Sequence, residues 1–164
     1  MHRMYLLGWL VLSCAGACMT APISAEGVSV QSAEAVSVRS YLLCEDLDCI
    51  DALRDLKACG AGCIPALLTT LQVGLAKEWD SRSPEFARAK SAQALGELGD
   101  RRAVAPLTRT LRERSALLRA ASAHALGQLK APAALGPLRV ALRVETDAHA
   151  RSSIKAALRV IEMP

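Results

Sequence analysis

The residues best able to do covalent chemistry are four clustered cysteines, Cys44, Cys49, Cys59 and Cys63. An even number of cysteines is typical of a disulfide framework in an oxidising compartment. Apolar spacing predicts helices over residues 48–58 and 64–76, and the turn between them is flanked by Cys59 and Cys63. The other two cysteines lie at the far end of the first helix, roughly 15 Å away at a rise of 1.5 Å per residue. A disulfide needs Cα atoms within about 7 Å. We therefore predict the pairs Cys44–Cys49 and Cys59–Cys63.

A redox function is the alternative interpretation of the second pair. Cys63 precedes a predicted helix, and a helix N-terminus lowers the pKa of a thiol. The spacing is C-x-x-x-C, however, and no thioredoxin-like strand pattern surrounds it, so structural disulfides are favoured. A zinc site built from all four cysteines is excluded because the two pairs lie too far apart to bind one ion.

Other catalytic patterns are absent from the sequence. It contains no phosphate-binding loop, no H-E-x-x-H and no G-x-S-x-G. His124 and His149 have no second ligand or nucleophile at a fixed offset, so we interpret both as surface histidines. The sequence therefore predicts no catalytic residues, no metal site and no cofactor.

The elements that position these residues repeat along the chain. Residues 91–99 (SAQALGELG) reappear as residues 122–130 (SAHALGQLK), and residues 103–111 match residues 134–142 in the same register. Apolar residues within each unit recur at intervals of three and four, which is typical of helices. Gly99 opens the turn between the two helices of a unit, where a left-handed conformation is needed. A period near thirty residues predicts a solenoid of stacked helix pairs.

The repeated motif R-A-x-S-A-x-A-L-G-x-L, followed by A-V-x-P-L-x-x-x-L, resembles HEAT repeats, in particular the short bacterial kind also seen in phycobilin lyases. The resemblance covers residues 47–162. It implies an all-α, right-handed solenoid of antiparallel helix pairs, about three pairs with a C-terminal capping helix. It also implies a ladder between units that joins an acid in the turn, Asp100, to arginines at helix starts: Arg88, Arg119 and Arg151. The ladder is expected to be incomplete in the third unit, where Lys130 and Ala131 replace the acid.

The N-terminus has the pattern of an export signal. His2 and Arg3 precede an uncharged run, and small residues before Glu26 suggest cleavage there. Cys14 or Cys18 could instead be acylated, or the run could remain as an uncleaved anchor. We predict a signal peptide over residues 1–25, a flexible linker over 26–43 and a repeat domain over 44–164. The expected location is the periplasm or cell envelope of a bacterium, with a lipid-anchored form as the alternative.

Charge is unevenly distributed around a net +4, since residues 87–164 carry fourteen bases and six acids. The second helices of HEAT units usually line the concave face of the stack, where a basic groove would suit an acidic partner, either a protein segment or an anionic lipid surface. The candidate contact residues are Arg109, Arg112, Arg139, Arg143 and Trp79. Export and the lack of aromatic residues near these arginines argue against nucleic acid. The predicted function is a non-catalytic binding or scaffold module, with a redox protein or an envelope lipoprotein as alternatives.

Overall fold

A computed structural model describes residues 33–44, 48–74 and 84–163 of the chain. The predicted signal peptide, with Cys14 and Cys18, and the candidate contact Trp79 lie outside these residues. Helices account for most of the described chain: α1 (Ala33–Leu43), α2 (Asp48–Cys59), α3 (Ile64–Val73), α4 (Pro84–Leu98), α5 (Val104–Thr110), α6 (Ala116–Gln128), α7 (Leu135–Val144) and α8 (Ala148–Glu162). Short 3₁₀ helices precede α3, α5 and α7. The described residues contain no strand, and the predicted all-α solenoid is confirmed.

The prediction of a flexible linker is wrong for residues 33–43, which form helix α1. These residues belong to the predicted flexible segment 26–43, and the helix buries Val38, Tyr41 and Leu42. It packs against α2, the following 3₁₀ turn, α3 and α4. A composition rich in valine and serine suggested a spacer. These three side chains nevertheless find an apolar surface on the neighbouring helices, which offsets the weak helical pattern of the segment itself.

The helices pack as hairpins in a different phase from the predicted unit. Among consecutive helices, α3 packs on α4, α5 on α6 and α7 on α8, whereas α4 and α5 make little direct contact. Gly99 at the corner between α4 and α5 has φ of 70°, as its predicted left-handed role requires, and Lys130 has φ of 44° at the equivalent corner after α6. α8 is the last helix of the described residues, and it packs on both α6 and α7.

Small residues bring α4, α6 and α8 into one closely packed row. A Cβ atom added to Gly96 of α4 would lie 2.8 Å from the Cα of Ala125 in α6. A Cβ atom added to Gly127 of α6 would lie 3.1 Å from the Cα of Ala157 in α8. The contacts between α3, α5 and α7 are much sparser. The stack therefore has one tight row, α4/α6/α8, and one open row, α3/α5/α7.

Leucine side chains between the two rows form the core. Leu95, Leu107, Leu118, Leu126 and Leu138 are all fully buried. With a single phenylalanine in the chain, this core depends on aliphatic and alanine packing. Two helices of the tight row start at side-chain caps, since Ser115 accepts from Leu118 N and Asp147 from Ala150 N.

Candidate partner-binding surfaces

Three equivalent arginines at the start of α4, α6 and α8 hold successive hairpins together. Arg88 donates from Nε to the carbonyl of Leu71 at 2.8 Å and from Nη2 to Glu113 at 2.8 Å. Arg119 donates to the carbonyls of Glu113 and Arg114 at 2.8 and 2.7 Å. Each arginine therefore reaches the end of the preceding open-row helix.

Arg119 also forms the most buried ion pair of the described residues. Its Nε and Nη2 donate to the two carboxylate oxygens of Glu145 at 2.6 and 2.7 Å. The next arginine of the series, Arg151, donates to the backbone carbonyl of Glu145. Glu145 thus connects two rungs of the ladder, and its side chain is only 2% exposed.

The prediction that Asp100 pairs with the arginines of the ladder is wrong. Asp100 pairs within its own turn, where Arg102 donates to it from Nη2 at 2.7 Å and from its backbone N at 2.8 Å. These hydrogen bonds lower the pKa of Asp100 below its usual value. The acids that meet the arginines are Glu113 and Glu145, which follow α5 and α7. The sequence contained a signal for them, because their offset of 32 equals the offset between Arg119 and Arg151.

The environment of Glu145 strongly favours its ionised form. The hydrogen bonds from Arg119 are the main reason that the pKa of Glu145 falls to about 2. The backbone N–H groups of Asp147 and Thr146 lower this pKa further, whereas burial of the carboxylate raises it. A buried carboxylate that satisfies four donors orders the loop between α7 and α8. Glu145 therefore has a structural role, and it is not available to a ligand.

The candidate partner-binding arginines lie on the open row or at its helix ends. Arg109, Arg112 and Arg143 are exposed, and among the described residues none of them has a hydrogen-bond or ion-pair partner for its side chain. Arg139 pairs with Glu162 at 2.8 Å, and both side chains are well exposed. These three arginines are thus uncommitted, unlike those of the ladder. Arg101, Arg114 and Arg159 are also exposed and have no side-chain partner among the described residues, but they do not lie on the candidate surface. The contact of Arg109, Arg112 and Arg143 with a partner stays a prediction.

Cys59 and Cys63 face each other in disulfide geometry across the 3₁₀ turn before α3, with Cα atoms 5.8 Å apart. Cys63 is fully buried and Cys59 is half-buried. Burial of one sulfur restricts attack by an external thiol, which favours the structural role over the redox alternative. The side chain of Cys49 lies outside the described part of the chain, so its pairing with Cys44 stays a prediction.

An open groove of about 300 Å³ crosses the tight row. It lies between the exposed sides of α4, α6 and α8, opposite the row that carries the uncommitted arginines. The two surface histidines, His124 and His149, both line it. The sequence analysis treated these histidines separately, because an offset of 25 residues does not match the repeat. Only the packing of α6 beside α8 brings them to one groove.

The described residues contain no group of three or more His, Cys, Asp or Glu side chains that could hold a metal ion. By length and composition alone, Ile50–Val73 could cross a membrane. Within this stretch a 3₁₀ turn separates α2 from α3, and Gly60 in that turn has φ of 55°. The stretch folds as part of the helical stack.

Comparison with known proteins agrees with this architecture. No curated protein matches the chain significantly. A family model described as HEAT repeats matches residues 74–159, more than half of the chain. These residues contain α4 to α7, most of α8 and the three arginines of the ladder. HEAT repeats generally mediate protein–protein interaction and typically serve as non-catalytic scaffolds. The chain belongs to the HEAT-repeat family.

Proposed function

We propose that this protein is an exported, non-catalytic binding module that holds an acidic protein partner through the uncommitted arginines of its open row. The observation that carries the proposal is that Arg109, Arg112 and Arg143 are exposed and unpaired among the described residues. Five other arginines of this half of the chain are used inside the fold, in the ladder or with Asp100 and Glu162. Arg101, Arg114 and Arg159 are exposed too, but they lie in the turn before α5, in the loop before α6 and on α8. An unpaired guanidinium keeps all its donors for a carboxylate of a partner.

The spacing of these arginines supports a protein partner with an acidic surface. Arg112 and Arg143 follow equivalent positions in the repeat, so successive hairpins present one charge each. A flexible nucleic acid would be expected to need stacking aromatic side chains as well. The aromatic side chains of the described residues are few. Tyr41 is buried, and Phe86 lies on the tight row. Contact with a membrane would come from the N-terminal segment, through a lipid or an uncleaved anchor.

Charge reversal tests the arginine surface. We expect the variant Arg112→Glu/Arg143→Glu to weaken binding of the partner at least tenfold, because each change replaces an attraction with a repulsion. The partner is identified by photo-crosslinking from position 109 in cells, and the dissociation constant is then measured with the purified pair at low salt. Crosslinking identifies the partner without assuming its charge.

The matched control is Lys155→Glu/Arg159→Glu on α8. It makes the same change in net charge on exposed side chains away from the open row. An equal loss in both variants would show that only overall charge matters. Unchanged binding by Arg112→Glu/Arg143→Glu would exclude the proposed surface.

Intact mass of protein purified from the exported fraction tests export and the disulfides together. We expect a chain from Glu26 to Pro164 that lacks four hydrogens, because cleavage follows Ala25 and two disulfides form. Reduction and alkylation should then label four cysteines.

Two other masses would change the interpretation. A diacylglyceryl mass on Cys14 or Cys18 would make the protein a lipoprotein of the envelope. Free thiols at Cys59 and Cys63 would contradict the disulfide and bring forward the redox alternative, for which Cys63→Ser should abolish activity.

A further inference from the structure

One face of α7 is left uncovered by the stack. The helix buries Leu138 and Ala141, packs on α8 and is not packed closely against α5. A Cβ atom added to Gly136 would have no neighbour within 4 Å, so the space above this face is open. The exposed residues of α7 recur at intervals of three and four, which places them on one face of the helix. They are Gly136, Arg139, Val140, Arg143 and Val144.

This face carries an apolar track beside a basic track. Val140 and Val144 lie one turn apart with 55% and 76% of their surfaces exposed, and Val144 is the most exposed large apolar side chain of the described residues. Arg139 and Arg143 each precede one of the valines, so they have the same spacing. Both tracks therefore repeat about every 6 Å along the helix axis. Single exposed apolar residues are common, but two in succession beside cations form a surface that a partner can cover.

The positive charge of this face is available to a partner. Among the described residues, the side chain of Arg143 has no hydrogen-bond or ion-pair partner, and neither has that of Arg112, the equivalent residue after α5. Arg139 is already paired with Glu162, so the charge available rests on Arg143 and Arg112 alone. An occupant that covers the valines brings these two guanidinium groups into its interface, and it needs carboxylates there because an unpaired buried charge is costly.

We infer that the acidic partner of the open row docks with an amphipathic helix laid along α7. Apolar side chains of that helix, four residues apart, cover Val140 and Val144, and its carboxylates pair with Arg143 and Arg112. This inference rests on the proposed function and specifies the partner. A helix fits because its own side chains recur at the same interval, so that its ridges can interdigitate with those of α7. An acidic segment without apolar residues would leave the valines in contact with water.

An anionic membrane surface fits this face less well than a protein segment does. Helices that lie in a membrane interface insert a large apolar face that carries Trp, Phe or Leu. α7 contains no aromatic residue, and its exposed face offers only two valines, since Leu138 is fully buried in the stack. Even a myristoyl chain, which has far more apolar surface, gives only marginal membrane binding. The small apolar track therefore favours a protein helix.

Peptide selection on the purified full chain tests the inference. Random peptides of about 16 residues, displayed on phage, are selected for binding to the chain and depleted on Arg112→Glu/Arg143→Glu, so that the remaining peptides need the arginine surface. We expect these peptides to combine Asp or Glu with large apolar residues at intervals of three or four. A labelled peptide should then bind at least fivefold more weakly to Val140→Ser/Val144→Ser by fluorescence anisotropy, although the net charge of the chain is unchanged.

The matched control is Val36→Ser/Val160→Ser, which removes two exposed valines from α1 and α8. It should leave the peptide affinity within twofold of that of the original chain. Serine and valine have similar helix propensities, and circular dichroism checks that each variant keeps its helices and melting temperature.

The outcomes separate this inference from the proposed function. Acidic peptides without regularly spaced apolar residues would overturn the inference and leave the arginine surface in place, as would equal affinity for Val140→Ser/Val144→Ser and the original chain. If no peptide remained after depletion, both the arginine surface and the helix on it would be contradicted. Tighter binding to phosphatidylglycerol vesicles than to any selected peptide, lost in Val140→Ser/Val144→Ser, would overturn the inference in favour of a membrane surface.

Discussion

Replacing Glu145 by alanine is expected to lower the free energy of unfolding by roughly 3–5 kcal/mol, the usual effect of breaking a buried ion pair. The guanidinium of Arg119, only 16% exposed, would lose both carboxylate hydrogen bonds and its ion-pair partner, and only the attraction of Asp147 would remain. The backbone N–H groups of Thr146 and Asp147 would lose their acceptor as well. Urea denaturation at pH 7, followed by circular dichroism, measures the change.

Glu162→Ala is the matched control for this experiment. Glu162 also pairs with an arginine at 2.8 Å, but 45% of its side chain is exposed, as is 61% of that of Arg139. Exposed pairs contribute about 0–1 kcal/mol, because water screens the charges. Similar losses in both variants would contradict the special role assigned to Glu145.

The pH dependence of the free energy of unfolding provides a second test of the role of Glu145. The folded protein lowers the pKa of Glu145 from 4.5 to about 2. The carboxylate therefore contributes stability above pH 4.5, and this contribution is lost as the pH falls towards 2. The shift corresponds to a loss on the order of 3 kcal/mol over that range. Glu145→Gln should lack this component, and an identical acid profile for both proteins would argue against the lowered pKa.

Gly96→Ala is expected to destabilise the protein by about 1–2 kcal/mol, although alanine is the better helix former. The new Cβ atom would lie 2.8 Å from the backbone Cα of Ala125, so α4 and α6 would have to separate. Overpacking of this kind costs about 1–3 kcal/mol, and the gain in helix propensity offsets up to about 1 kcal/mol. Thermal and urea unfolding measure the balance.

Gly136→Ala in α7 is the matched control. A Cβ atom at this position would have no neighbour within 4 Å, so only the propensity gain remains. We expect about 0.5–1 kcal/mol of added stability. If Gly96→Ala also stabilised the protein, close approach of α4 and α6 would not be needed for the stack.

Much of the architecture could be predicted because it follows from local patterns. The repeat of residues 91–99 at 122–130 and the spacing of apolar residues predicted the helices and the solenoid, and the structure confirms both. The left-handed turn at Gly99 was also predictable, because glycine adopts a positive φ without strain. The helical state of residues 33–43 was not. That segment is helical because its buried side chains meet other helices, which no local pattern records.

The sequence by itself determined that this protein is a stack of short helices with a basic C-terminal half, because helical periodicity and charge are properties of each residue and its near neighbours. Only the tertiary structure decided which helices pair and which arginines are free. Glu145 rather than Asp100 meets Arg119, since long side chains reach across a loop to partners 26 residues away. Tertiary packing also forms the groove on the tight row. His124 and His149 line one surface because the alanines and glycines of α4, α6 and α8 let those helices approach closely.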